Sequence, residues 1–170
     1  SSAASDVYKR QEDALIELDY LGVENVLLIR GDAMKSETTF SPEPGGNQYA
    51  IDLVKQVVNM NKGVYIEEDL KDMRCTNFCI GVSGYPEKHF EAPNMKSDLK
   101  FLKEKVEAGA DYIVTQMFFD NEKFFSFVNA CRAEGIDIPI IPGLKPITTK
   151  RQISIIPVSY THLTLPTMRT

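Results

Sequence analysis

Tryptophan is absent from the 170 residues, histidine occurs twice and cysteine three times. Each shortage removes a class of reading. With no Trp, a formal net charge of −5 and a pI near 5.1, the chain lacks the basic, stacking-rich footprint of a nucleic-acid binder. No apolar run approaches the roughly 20 residues of a membrane span, and residues 1–15 have no apolar core of a secretion signal. The expectation is a cytoplasmic protein with neither membrane nor nucleic-acid partner. Cys75, Cys79 and Cys131 form no zinc-type repeat, because the one C-x3-C pair has no second pair. They read as thiols in a reducing compartment, with no metal site. What is present, 43% hydrophobic and 25% charged residues, suits one globular domain with a real core.

The two ends share an origin. Asp6 to Gln11 reads DVYKRQ and Val158 to Leu163 reads VSYTHL. DVYKRQ can be written GAT GTG TAT AAG AGA CAG, and the reverse complement of that segment, read with one preceding base, encodes Val-Ser-Tyr-Thr-His. The segment resembles a transposon end used in sequencing adapters, so residues 1–11 and 157–170 are expected to be adapter-derived, with Pro157 assignable to either side. The interpretable chain is then 12–156, and His162 carries no functional weight.

Short, β-branched apolar runs that suit buried strands occur at Asn25 to Ile29, Phe78 to Val82, Tyr112 to Met117 and Ile138 to Ile141. Helical patterns separate them: Gln48 to Met60 with Ile51, Val54 and Val58 on one face; Lys96 to Ala108 with Leu99, Leu102 and Val106; and Glu122 to Glu134 with Phe124, Phe127, Val128 and Cys131. Gly109 and Gly135 stand where helices should stop. Residues 61–77 are polar and read as a surface excursion containing a short helix. Strand alternating with helix, and apolar runs that are continuous rather than alternating, predict an α/β fold with a parallel sheet covered on both faces.

Ligands of parallel α/β folds gather at the carboxyl ends of strands. The four runs lead into Arg30-Gly31-Asp32; Gly84-Tyr85-Pro86-Glu87-Lys88-His89; Gln116 followed by Phe118-Phe119-Asp120; and Pro142-Gly143-Leu144-Lys145-Pro146. Small residues that admit close approach stand beside polar groups at all four ends, which marks a candidate site.

The motifs LLIRGD, NQYAIDL, GVSGYPEKHFEAP, ADYIVTQMFFD and PIIPGLKPIT, in this order and spacing, resemble the methylenetetrahydrofolate reductase family over nearly all of residues 12–156. The resemblance implies a TIM-type (β/α)8 barrel. Such a barrel takes about 250 residues, so the chain is expected to hold part of one, strands four to seven with their helices. It also implies FAD as cofactor, NADH or NADPH as hydride donor, a folate substrate reduced from methylenetetrahydrofolate to methyltetrahydrofolate, and a homo-oligomeric parent.

For individual positions the family role stands beside a plainer one. Asp32 alone reads as a loop or capping carboxylate; the resemblance makes it catalytic, between flavin and folate, where it would stabilise the positive charge of ring opening. Arg30 and Gly31 would touch the flavin, and the buried strand before them argues against an adhesion-type RGD loop. Tyr49 reads as a half-buried packing residue, Tyr85 as a packed ring and His89 as a solvated imidazole; the resemblance makes Tyr49, Ala50, Tyr85, His89 and Ala92 FAD contacts. Glu87 and Lys88 read as surface charges. Asp98 and Lys105, two helical turns apart, share what pattern alone calls a solvated face opposite Leu99, Leu102 and Val106; the resemblance assigns the aspartate to a ribose hydroxyl and the lysine to the pyrophosphate. Gln116 reads as a buried amide in an apolar run that needs partners, and the family role is the pterin edge. Gln152 aligns with a second folate-binding glutamine, although Ile155 and Ile156 depart from the phenylalanine-containing helix usual beyond it.

The family's acidic proton donor comes from the first barrel strand, outside these motifs, so the chain by itself is expected to be inactive. Two other readings remain: a different barrel, such as a lyase or aldolase with Lys145 or Lys105 as Schiff-base amine, and a non-catalytic binding module whose strand-end residues are caps.

Overall fold

The computed structural model describes residues 2–29, 47, 49–66, 74–89 and 91–149, with side chains from Lys9 onward. The elements run α1 (Ser2–Tyr20), β1 (Asn25–Leu28), α2 (Ala50–Asn61), β2 (Cys79–Gly84), α3 (Met95–Glu107), β3 (Tyr112–Thr115), α4 (Asn121–Ala133) and β4 (Ile140–Ile141). Helix α1 starts well before Glu12, so residues assigned to an adapter continue it without a break. In the polar stretch 61–77, residues 62–66 and 74–77 form neither helix nor strand; a short helix at 67–73 would lie outside the described residues.

The four strands are all parallel and lie side by side in chain order, β1-β2-β3-β4. Asn25 pairs with Cys79, Gly81 with Tyr112 and Ile113 with Ile140. Helices α2, α3 and α4 are thus each the crossover between neighbouring strands, with α1 preceding the first strand, and the unit repeated is β/α.

One face of the sheet meets the helices. Val26, Leu28, Ile80, Val82 and Ile113 point to that side and form one core with Leu15 of α1, Val54, Val57 and Met60 of α2, Leu99 and Leu102 of α3, and Phe127 and Cys131 of α4. Burying each such aliphatic side chain contributes roughly 1.5–3 kcal/mol before chain entropy is subtracted. On α2 the buried stripe is Val54, Gln56, Val57 and Met60, rotated from the expected one, with Val58 only partly buried at its edge.

Among the described residues no helix covers the opposite face, where Gly81 is buried and Ser83, Tyr112 and Val114 are half-buried, so the expected cover on both sides is seen on one. Leu27 is 44% exposed and Ile141 47%. Among the described residues all four helices pack on one side, as they do when a sheet curls so that its second face looks inward at other strands. Tyr112 belongs to this face. Its ring crosses Gly81, where a Cβ would sit 2.4 Å from the ring carbons, and its hydroxyl donates to the Val26 carbonyl at 3.2 Å.

Capping sets the helix limits. The Asn94 side chain accepts the Ser97 N–H at 2.9 Å to start α3, and Asp120 accepts the Glu122 N–H at 2.9 Å to start α4. Both helices end at a glycine of positive φ, Gly109 and Gly135. Beyond them the Ala110 N–H returns to the Lys105 carbonyl and the Ile136 N–H to the Cys131 carbonyl, so each chain reversal closes on its own last turn. These stops send the chain directly into β3 and β4. They also hold the amino ends of α3 and α4 at the carboxyl ends of the strands.

Candidate functional site at the carboxyl ends of the strands

The best-formed part of the site lies between the end of β2 and the inner side of α3. Lys105 is drawn under the sheet edge, its Nζ donating to the Ser83 carbonyl at 3.0 Å. Burial pushes its pKa below the usual 10.5, while the nearby Asp98 carboxylate acts in the opposite sense. Two turns earlier Asp98 Oδ2 accepts the His89 N–H at 2.9 Å. Asp98 and Lys105 thus leave the solvated face that pattern alone allows and look along the strand ends, one anchoring the loop after β2 and the other the end of β2 itself.

That loop folds on its own residues. The Tyr85 and His89 rings meet edge to face, centroids 4.6 Å apart at 77°. His89 Nδ1 accepts the Glu91 N–H at 3.2 Å, which puts the proton of the neutral imidazole on Nε2. His89 is half-buried rather than freely solvated. Ala92 is 6% exposed and its N–H donates to the His89 carbonyl at 3.1 Å. Lys88 is not the surface charge expected: its Nζ donates to the carbonyls of His89, at 2.9 Å, and Ala92, at 2.6 Å. Nothing in its sequence surroundings announces this, because the contact depends on a backbone φ of 77° at Lys88 itself.

Gln116 stands one residue past β3. Its backbone N–H continues the ladder to the Gly84 carbonyl at 2.8 Å, and its side chain is exposed, correcting the expectation of a buried amide. At the end of β4 the Gly143 N–H donates to Thr115 Oγ1 at 3.0 Å. A Cβ on Gly143 would fall 2.0 Å from the Thr115 carbonyl oxygen, so only glycine lets the two strand ends approach this closely.

Tyr49 is the N-cap residue of α2, its N–H donating to Asp52 Oδ2 at 3.2 Å. At 54% exposure its ring is presented outward rather than half-buried. Ala50 follows as the first helical residue. Both lie at the helix end that follows β1, on the ligand side of the sheet. Arg30, Gly31, Asp32 and Gln152 lie outside the described residues. The sequence signals thus converge for Tyr85, His89, Ala92, Asp98 and Lys105, with Gln116 one ladder bond away.

Other polar features stand apart. A shallow cavity of about 240 Å³ between α1 and α2 is lined by Glu12, Gln56 and Tyr65 among others. Its buried Glu12 carboxylate is taken up by the Ile66 N–H, 2.9 and 3.1 Å from its two oxygens. Cys131 is fully buried, and burial pushes its thiol up to about 11, which makes it an inert packing residue. No group of three or more metal-ligating side chains occurs among the described residues. No described helix is long and apolar enough to cross a membrane.

Consecutive parallel strands, helices on one side and polar loops gathered at the carboxyl ends define a β/α protein whose polar side chains collect at one rim of its sheet. The sequence model of the methylenetetrahydrofolate reductase family matches residues 5–168, and the chain belongs to that family. It is 44% identical over 140 residues to "Methylenetetrahydrofolate reductase 2" of Saccharomyces cerevisiae, covering 81% of this chain and 21% of that protein. Over 126 residues it is 43% identical to "Methylenetetrahydrofolate reductase 1" of Schizosaccharomyces pombe, covering 74% of this chain and 19% of that protein. Over 145 residues it is 41% identical to "Probable methylenetetrahydrofolate reductase (NADH)" of Oryza sativa subsp. japonica, covering 80% of this chain and 22% of that protein. The chain spans about a fifth of the length of these relatives.

Proposed function

We propose that the protein carrying this chain reduces 5,10-methylenetetrahydrofolate to 5-methyltetrahydrofolate with NADH or NADPH as hydride donor, and that the described residues form part of its FAD site. The observation that carries the reading is Lys105. A buried ammonium has three donors, and its hydrogen bond among the described residues is to the Ser83 carbonyl. Its remaining donors suit the oxygens of a pyrophosphate, whose negative charge would offset the burial that disfavours the cation.

The rest of the cluster fits a dinucleotide around that anchor. Asp98 suits a ribose hydroxyl while keeping the His89 amide. Tyr85, His89 and Ala92 offer an aromatic and apolar wall beside it, and the outward ring of Tyr49 with Ala50 offers a second. FAD, when bound, supplies the hydride transfer between the nicotinamide and the folate. On sequence resemblance, Arg30 and Gly31 join the cofactor contacts, Asp32 serves as the catalytic carboxylate toward cofactor and substrate, and Gln116 and Gln152 read the folate; the exposed side chain of Gln116 supports its share of this.

The single sheet order and one-sided helices support assigning β1 to β4 as strands four to seven of a (β/α)8 barrel; that the enzyme is homo-oligomeric and cytoplasmic rests on the sequence and its family resemblance alone. The ends, 1–11 and 157–170, stay assigned to adapter sequence, a reading that sequencing the gene across both junctions checks. None of the residues placed around the flavin lies in them.

The test is flavin retention. The full-length protein carrying this sequence should purify with the absorbance of bound flavin and oxidise NADH or NADPH with the folate present, and Lys105→Met should purify largely without flavin. A colourless full-length protein that binds no added FAD would sink the reading. The depressed pKa of Lys105 also favours a nucleophilic amine. Borohydride trapping with a carbonyl substrate separates that second reading, and no adduct is expected.

A further inference from the structure

We propose that Lys88 is a positioning residue that straps the loop after β2 into the shape that presents His89 and Ala92 to the cofactor; the proposal rests on the flavin reading above. Lys88 is the non-glycine residue with positive φ among the described residues, at 77°. A left-handed backbone is unfavourable for a residue with a Cβ and persists only where the surroundings over-determine it. Here the determinants are visible. The Lys88 N–H donates to the Tyr85 carbonyl at 3.0 Å and closes the turn. The side chain then reaches across the loop to the carbonyls of His89 and Ala92.

The His89 backbone is consequently gripped on both sides of its Cα. Its N–H is held by Asp98 at 2.9 Å, and its carbonyl accepts from both Lys88 Nζ, at 2.9 Å, and the Ala92 N–H, at 3.1 Å. Because the ring Nδ1 also takes the Glu91 N–H, both the position and the tautomer of the imidazole depend on this loop geometry. Removing the ammonium leaves two carbonyls without their charged donor and lets the left-handed residue relax, so the His89 ring and Ala92 leave register with Tyr85 and Asp98. Lys88 acts through its neighbours and needs no contact with the ligand.

Two variants in the full-length protein test this. Lys88→Met keeps the length of the side chain and removes the donor, while Lys88→Arg keeps a donor. FAD affinity is read by flavin fluorescence, and folding by the melting temperature of the apoprotein. The expectation is FAD binding about tenfold weaker for Lys88→Met, within about threefold of the parent for Lys88→Arg, apoprotein melting close to the parent in both, and faster exchange of the Ala92 amide in Lys88→Met. Unchanged FAD affinity in Lys88→Met, an arginine variant as weak as the methionine one, or an affinity loss that only follows a collapse of apoprotein melting would each overturn the proposal while leaving the flavin reading intact. A parent protein that binds no FAD overturns that reading and this proposal with it.

Discussion

The Lys105 ammonium lies 3.0 Å from the Ser83 carbonyl, so the end of β2 holds a positive charge that burial alone disfavours. A folded-state pKa below 10.5 means that the unfolded chain binds the proton more tightly. Charged Lys105 therefore costs stability at low pH, and that cost fades as pH rises from the lowered pKa through 10.5. Lys105→Met should make the apoprotein more stable at neutral pH, with the advantage shrinking toward alkaline pH, when urea midpoints are compared at several pH values. The same change should weaken FAD by at least about tenfold, and parental FAD affinity should decline over the alkaline window in which Lys105 loses its proton. A variant no more stable than its parent, with undiminished flavin affinity, would refute this account of the site.

Asp98 serves the loop through geometry and Lys105 through charge, and two substitutions separate the roles. Asparagine can still accept the His89 N–H but no longer raises the Lys105 pKa. Asp98→Ala loses both and leaves the amide unanswered, at a cost of about 1–2 kcal/mol. Asp98→Ala is expected to lower both apoprotein stability and FAD affinity, whereas Asp98→Asn spares stability and weakens FAD less. Equal stability losses in the two variants would show that the hydrogen bond is not what Asp98 contributes.

The repeat was legible in the sequence because strands and helices obey local rules. Four apolar runs marked the four strands, and Gly109 and Gly135 marked the helix ends at Glu107 and Ala133 to within two residues. The facing of the sheet was not legible. An apolar strand looks the same whether helices or other strands cover it, so the helix-free side of Leu27 and Ile141 needed the tertiary arrangement. Asp98 and Lys105 were recognisable as a pair by spacing, yet their direction was not, since a helix face is defined only relative to what packs on it. Lys88 escaped altogether: its role depends on a positive φ that no neighbouring residue encodes.

Two glycines of the strand ends should respond differently to alanine. At Gly143 the added Cβ meets a backbone oxygen, that of Thr115, at 2.0 Å, and a backbone cannot step aside without breaking the bond between the Gly143 N–H and Thr115 Oγ1. At Gly84 it meets Ile113 Cγ2 at 2.8 Å and Phe127 Cζ at 2.9 Å, side-chain atoms that yield by rotation or a small repacking where a backbone oxygen does not. Gly143→Ala is expected to cost about 3 kcal/mol and Gly84→Ala nearer 1 kcal/mol in denaturant titrations. The reverse order would mean that β4 is not held against β3 as described.

The helix-free sheet face sets how the 170-residue chain behaves alone. Leu27 and Ile141 stand on the two outer strands, 44% and 47% exposed, and the Ile29 side chain beyond β1 is 58% exposed. Apolar surface of this kind, next to unpaired strand edges, drives association. The chain is expected to self-associate with rising concentration in sedimentation experiments, and Leu27→Glu with Ile141→Glu should shift it toward monomer while helix content by circular dichroism is kept. Val82→Glu, on the helix-covered face where Val82 is fully buried, should instead unfold it, because a carboxylate there has no partner and no water. If the double glutamate variant loses its helices as Val82→Glu does, the two faces are equally packed and the one-sided arrangement is wrong.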